Sequence, residues 1–364
     1  MKRKSFFKTG TYAVVFCSVA VFMVACKKTT LTPGTEAAQN EEAAVSSLRG
    51  GLYASAADTA AAANNLYMYN SIDNMLQFTM QYATNAKDGN GVYYNSATDE
   101  LYQLSRKNKT VYIFSNASSM SGTPVPSRTF TDTTLSSGRE ITYDAKRDIL
   151  YIANNSDSSI RMYKKFTTLS GMTKGTVLKI QGQPWGITYD RNNNVLIAAM
   201  DLTAMRLDIF DAPSTLVAGA VTANRSLNIT DRLNGTFSRI HGLSYDSDND
   251  ILVVTEIGEA AAPAVPTPGK PPFNADGGLL IFKDANAKII SGGSYAADGT
   301  IYGANTTLGN PVDVVVKTVK GSSYIYVAEK ANKKILTFKL YAGDKAPFNS
   351  IATAYAPEDI TLLK

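Results

Sequence analysis

The chain has 364 residues, 44% of them hydrophobic, which is enough for a sizeable buried core. The formal charge of +5 does not describe a basic surface, and nucleic acid is not an expected partner: Lys2, Arg3, Lys4 and Lys8 lie at the N-terminus, and the remainder carries 32 basic against 31 acidic residues. The only cysteines, Cys17 and Cys26, exclude a disulfide framework, and the one histidine, His241, excludes a Cys/His zinc site and any site needing two imidazoles.

Residues 1–8 are cationic and residues 11–24, TYAVVFCSVAVFMV, are apolar. A basic start, a short apolar run and small residues at the cut make a secretory signal. The run falls short of the ~20 residues that span a bilayer. Met23-Val24-Ala25-Cys26 resembles the lipobox of bacterial lipoproteins, with Met where Leu is more usual. The resemblance implies cleavage before Cys26 and acyl chains on its thiol and amine, which together anchor a protein stably to a membrane. Lys27 stands where an Asp would suggest inner-membrane retention, so the outer membrane is the expected location. Residues 1–25 are read as signal peptide. Residues 26–62 are read as the lipidated cysteine and a flexible tether rich in Ala, Ser, Thr and Gly, with a short helix at 41–48.

From residue 63 a repeat takes over. Residues 141–163, ITYDAKRDILYIANNSDSSIRMY, read as three short strands joined by two polar turns. The unit returns at Ile187 and at Leu243. A unit this short cannot bury its own faces and must stack on copies of itself. Second strands begin at Leu66, Leu101, Leu150, Leu196, Leu252 and Ile325, spaced 35, 49, 46, 56 and 73 residues apart. Inner strands begin at Val92, Ile141, Ile187, Leu243, Val314 and Ile360. The last of these ends the chain without the remainder of a unit. The first copy, at Leu66, lacks an inner strand and has no clear fourth strand between Met80 and Gly89. The C-terminal strand is therefore expected to complete the first unit and close a ring.

The motifs GREITYD, PWGITYD and IHGLSYD resemble those of six-bladed β-propellers of the NHL, YVTN and lactonase-like group. The expected fold is all-β, a six-bladed β-propeller over residues 63–364 closed by the C-terminal strand in the first blade. The motif speaks for architecture and not for activity. A Pro-rich insertion at 260–276, AAAPAVPTPGKPPFNAD, reads as a long loop in blade five.

Chemistry is expected at one mouth of the central channel, where loops entering the inner strands meet those leaving the second strands. The predicted mouth residues are Glu140, Trp185, His241, Glu256, Asp313, Glu329, Glu358 and Asp359. Asp313, Asp359 and Glu329 are candidate cation ligands. Oxygen donors without Cys or His suit calcium, and the lactonase-like resemblance implies a channel site of that type. The alternative is that these carboxylates pair with Arg139, Arg239 and Lys330. His241 is a candidate general base or a polar channel residue. Trp185 either stacks on a ligand ring or caps packing between blades. No nucleophile-elbow, phosphate-loop, dinucleotide or EF-hand motif is present. The preferred function is a binding or interaction module at the cell envelope, not an enzyme. It would be a monomer held to the membrane by its lipid and engage a glycan, protein or small molecule. The alternative is a lactonase- or esterase-like hydrolase using a channel cation.

Overall fold

The computed structural model describes residues 50–72, 75–258, 265, 268–269, 271–319 and 321–363. The signal segment, Cys26 and most of the tether lie outside the described residues. The described chain forms six sheets, each built on an antiparallel run of four strands and three of them extended by a short parallel fifth, arranged as the blades of a propeller. Its inner strands are Gly89–Asn95, Gly138–Asp144, Pro184–Asp190, Arg239–Asp246, Pro311–Val319 and Pro357–Leu362, at the places the repeat predicts. Five blades follow the predicted strand order.

Blade 1 differs by one strand. Its order is Pro357–Leu362, Leu52–Ala56, Leu66–Ile72, Met75–Tyr82. The C-terminal strand closes the ring as expected, with Ala54 opposite Ile360 and Leu52 opposite Leu362. The strand at Leu66 is the third and not the second, and Met75–Tyr82 supplies the fourth. The missing second strand, LYASA, lies inside the stretch read as tether. Its Ala- and Ser-rich surroundings looked like linker, yet all five residues are buried. The chain enters it in close contact with the next strand: a Cβ on the preceding Gly51 would sit 2.0 Å from the Tyr69 carbonyl oxygen. Tyr53 is fully buried and its hydroxyl donates to the Ala117 carbonyl at 2.6 Å.

The core is six apolar slabs, one between each pair of neighbouring blades. The period of two along a strand explains this. In Val195–Met200, Leu196, Ala198 and Met200 face blade 3, while Val195, Ile197 and Ala199 face blade 5. Second strands are buried on both faces and read as continuous apolar runs.

The repeated Tyr-Asp has a structural task. Asp144 Oδ1 accepts the N–H groups of Lys146 and Arg147, closing the hairpin turn through its own side chain. Asp148 ends the turn at φ 55°. Its carboxylate accepts the Tyr143 hydroxyl at 2.9 Å, the Thr167 N–H at 3.0 Å and the Thr167 hydroxyl at 2.7 Å. One side chain thus ties the hairpin to the 3-10 turn Phe166–Thr168 after the third strand. Asp99 and Asp250 repeat the arrangement with Tyr94 and Tyr245, and Asn194 accepts Tyr189 at the same place in blade 4. Because Asn serves there, Asp148→Asn should leave the melting temperature nearly unchanged. Asp148→Ala strands three donors and strains a left-handed residue, and should cost about 1–3 kcal/mol. Equilibrium urea unfolding of the two variants checks this, and equal losses would show that the carboxamide-type contacts do not matter.

Candidate functional site at the channel mouth

Every inner strand carries a β-bulge at the same place. The register skips between Gly89 and Val92, Gly138 and Ile141, Pro184 and Ile187, Ile240 and Leu243, Pro311 and Asp313, and opposite Ser55–Ala56 in the C-terminal strand. A bulge takes residues off the ladder and re-aims their side chains. Here it presents six residue pairs in two layers: Asn90-Gly91, Arg139-Glu140, Trp185-Gly186, His241-Gly242, Val312-Asp313 and Glu358-Asp359.

One layer consists of three acids, Glu140, Asp313 and Asp359, and three glycines, Gly91, Gly186 and Gly242. Asp313 Oδ2 accepts the Ile360 N–H of the next blade at 2.9 Å, and Asp359 Oδ2 accepts the Val92 N–H of the next at 3.0 Å. Glu140 accepts the Ile187 N–H in the same sense. The glycines leave room for these carboxylates. A Cβ on Gly242 would lie 2.6 Å from Asp313 Oδ1, and one on Gly186 would lie 2.5 Å from the His241 carbonyl oxygen and 3.0 Å from Glu140 Oε2. Asp313 and Asp359 are 3% exposed. Burial, with the Asp313 charge, pushes the Glu140 carboxyl well up. Burial, with the charges of Asp313 and Glu140, does the same to Asp359. Burial raises Asp313 as well, to about 6, even though it accepts backbone hydrogen bonds.

The other layer is a stack. The Arg139 guanidinium carbon sits 3.9 Å from the centre of the Trp185 ring, and the His241 ring lies 3.7 Å from Trp185 on an interplanar angle of 5°. Both indole faces are therefore covered, so Trp185 caps packing and offers no face to a ligand ring. It joins the apolar cluster of blades 6 and 1, which includes Val312, and so reaches across the axis. His241 Nε2 lies 3.3 Å from Asp201 Oδ1. Burial lowers the imidazole pKa, partly offset by Asp201, and keeps the ring neutral. Burial favours the neutral Asp201 carboxyl, but His241, the Leu202 N–H and Arg239 outweigh it and hold it below the carboxylate range. Arg239 grips Asp201 through Nε and Nη2 at 2.9–3.0 Å. Burial, and Arg106 nearby, bring Arg139 down to about 10.

The remaining predicted residues do other work. Glu329 Oε1 accepts the N–H groups of Gly309, Asn310 and Ala331, and Oε2 accepts that of Asn332. Glu256 Oε1 accepts the Ser238 hydroxyl at 2.5 Å and the Asn234 N–H. Asn154 clamps Ser136 and Ser137 from the same position in blade 3. These side chains order the loops entering the inner strands. None of the candidate cation ligands pairs with Arg139, Arg239 or Lys330 as the ion-pair alternative expects: Lys330 pairs with Glu358 at 2.7 Å, Arg239 pairs with Asp201, and Arg139 stacks. The third carboxyl beside Asp313 and Asp359 is Glu140; both oxygens of Glu329 are taken by backbone. Among the described residues no group of three or more His, Cys, Asp and Glu is arranged to hold a metal ion. Sequence reasoning missed Asp201 altogether. Its signal is the acidic residue that follows an apolar strand, VLIAAM-D, one place beyond the position where blades 3, 5 and 6 have Asn or Glu. Several buried polar atoms of the mouth have no protein partner: Arg139 Nε and Nη1, Glu140 Oε2, His241 Nδ1, Asp313 Oδ1 and Glu358 Oε2.

Fold and site together define a six-bladed β-propeller whose channel mouth is closed by its own side chains. Solved structures agree on the fold. A chain of a nidogen/laminin complex superposes with a TM-score of 0.55 at 13% identity, covering 86% of this chain and 98% of that one. A putative 6-phosphogluconolactonase from Bacteroides fragilis NCTC 9343 gives 0.54 at 13% identity, over 87% and 98%. Another from Bacteroides uniformis ATCC 8492 gives 0.56 at 12%, over 86% and 99%. No family model and no curated protein matches the sequence.

The raised carboxyls fix a sign. A carboxyl whose folded pKa lies above the ordinary ~4 stabilises the fold while protonated. That contribution is complete below about pH 4 and is lost as pH rises through about 6 at Asp313. The melting temperature should fall from pH 5 to pH 8, and Asp313→Asn, neutral and of the same shape, should flatten the slope. Scanning calorimetry of both proteins across that range checks it; parallel profiles would uncouple the cluster from stability.

Proposed function

We propose that the protein is a lipid-anchored β-propeller of the cell envelope that acts as a binding module and not as a hydrolase. The closed mouth carries this reading. His241 is 3% exposed, stacked against Trp185 and engaged with Asp201. An imidazole so enclosed has no side on which to meet a substrate and its attacking water. A fold neighbour that belongs to a nidogen/laminin complex gives a precedent for such a propeller within a protein complex. The anchoring half of the proposal draws on Met23 to Cys26 and on the acidic-free signal segment. Mass spectrometry of the mature N-terminus should find acyl chains on Cys26 and none in Cys26→Ala; a wild-type Cys26 without acyl mass overturns it.

The rival hydrolase draws on the two fold neighbours titled putative 6-phosphogluconolactonase and on the convergence of Asp313, Asp359 and Glu140, which a channel calcium would neutralise. Two measurements separate the readings. The binding module should leave 6-phosphogluconolactone hydrolysing at its uncatalysed rate. Calorimetric titration of calcium chloride should give the same heat with wild type as with the Asp313→Asn/Asp359→Asn double variant. Turnover that His241→Asn abolishes, or calcium heat that the double variant loses, would establish the hydrolase instead.

A further inference from the structure

The hairpin turns between inner and second strands have the same length in blades 3, 4 and 5, running from Asp144 to Ile149, Asp190 to Val195 and Asp246 to Ile251. They lie at the end of the inner strands away from the mouth. In blade 3 the third residue after the aspartate is Arg147. Its guanidinium donates to Asp144 at 3.0 Å and crosses to the Tyr189 hydroxyl of blade 4 at 2.8 Å. One side chain thus bridges the seam between two blades. Blade 4 has Asn193 at the same place. Its carboxamide keeps the contact within the turn, donating to Asp190 at 2.6 Å. Asparagine is too short to repeat the second contact, and Tyr245, the counterpart of Tyr189, keeps the bond to its own blade, to Asp250 at 3.3 Å. The seam between blades 4 and 5 holds a cleft of about 270 Å³ lined by Asn192, Asn193, Tyr245, Ser247, Asp250 and Asn286.

Asn286 comes from a second departure from the repeat. After the third strand, blades 2, 3 and 4 have a 3-10 turn, while blade 5 has the helix Ala285–Ser291. The Asn286 N–H donates to Asp250 at 2.6 Å, and its carboxamide oxygen accepts Asn193 Nδ2 at 2.6 Å. Two amides therefore join the blades beside the cleft and hold each other in place. These bonds use both hydrogens of Asn193. Among the described residues they leave Asn286 Nδ2 to donate, Asn193 Oδ1 to accept and the Ser247 hydroxyl to do either.

We propose that this cleft binds one ring of a neutral saccharide. The inference rests on the protein being a binding module and adds a site on the face opposite the mouth. A sugar hydroxyl both donates and accepts, and carboxamides and a serine hydroxyl answer both needs without charge. The half-buried Tyr245 ring offers an apolar surface to the C–H groups of a sugar. The ligand is not an anion. No Lys or Arg lines the cleft, and burial, then the charges of Asp250 and Asp190, push the Tyr245 hydroxyl up, so the surroundings are negative. A peptide is the poorer fit, because the lining has no open strand edge, no apolar groove and no cationic cluster to hold one. A single ring in a small cleft binds weakly, and many copies on a membrane facing many sugars raise the retention.

The test applies the full-length chain, in a detergent without a sugar headgroup, to an array of neutral and acidic glycans, beside Asn193→Arg and Asn286→Ala. Arginine at 193 reinstates the side chain that bridges blades 3 and 4, so this variant should melt at or above wild type and still lose binding. Asn286→Ala removes one donor and one acceptor of the cleft and carries the test if the first variant fails to fold. Wild type should be retained on neutral glycans that share one sugar, and the methyl glycoside of that sugar should compete. Each variant should lower retention about ten-fold or more. Retention unmoved by both folded variants, preference for acidic glycans, or binding to a glycopeptide that survives removal of its glycan would each overturn the proposal. So would no retention on any neutral glycan, and the binding-module reading would then still be decided by the lactone and calcium measurements.

Discussion

Six sheets meeting at an axis leave six inner edges with no further strand to pair with. That constraint shapes most of what is distinctive here. Backbone N–H groups in a buried position need acceptors, and the inner strands of blades 1, 2, 4 and 6 find them on their neighbour's side chains. Thr361 accepts the Tyr94 N–H, Thr142 that of Tyr189 and Ser244 that of Val316. One layer nearer the mouth, Asp313, Asp359 and Glu140 do the same through carboxylates. The ring is closed at its centre by side chains reaching forward from blade to blade, as well as by the ladder between the C-terminal strand and Leu52–Ala56.

The glycines belong to the same solution. Gly91, Gly186 and Gly242 occupy the column whose other members are the three acids, and a Cβ at any of them would strike a neighbouring backbone at 2.5–2.7 Å. Without the methyl, neighbouring bulges approach closely enough for Arg139, Trp185 and His241 to stack from three successive blades. Trp185 gains from both sides, a cation over one face and a neutral ring on the other. The Asp201–Arg239 pair fixes the outer side of His241. The mouth is thus built from local interactions repeated around the ring, and its closure follows from them.

How much of this could be read beforehand depends on which periodicity carried it. Strands recur with a period of two and blades with a period near forty-five, so the inner strands and the C-terminal closure were legible from GREITYD, PWGITYD, IHGLSYD and the terminal ITLL. Leu52–Ala56 was not, because its two large residues stand among the Ala, Ser and Gly of residues 43–63, a composition that also signals linkers. The mouth columns were legible as positions. Their partners were not: nothing in the sequence shows that Trp185 would be covered on both sides, or that backbone donors would consume both oxygens of Glu329. The six bulges have no sequence signature at all, since Asn90-Gly91, Trp185-Gly186 and Val312-Asp313 share no residue type beyond one glycine. The Tyr-Asp motif was visible and misleading in emphasis, since its aspartates serve turns on the face away from the mouth.

The two layers of the inner ring can be set against each other. The hydroxyl layer shows that a Ser or Thr satisfies an inner-edge N–H with no charge. The layer at the mouth uses carboxyls for the same bond and carries the cost of placing three of them, mutually repelling, in a dry axis. A neutral amide would accept the same N–H without that cost. Edge closure alone therefore does not account for Glu140, Asp313 and Asp359. What the carboxyls add is a second oxygen each and a sensitivity to protonation, with Asp313 raised to about 6 and Glu140 and Asp359 raised with it.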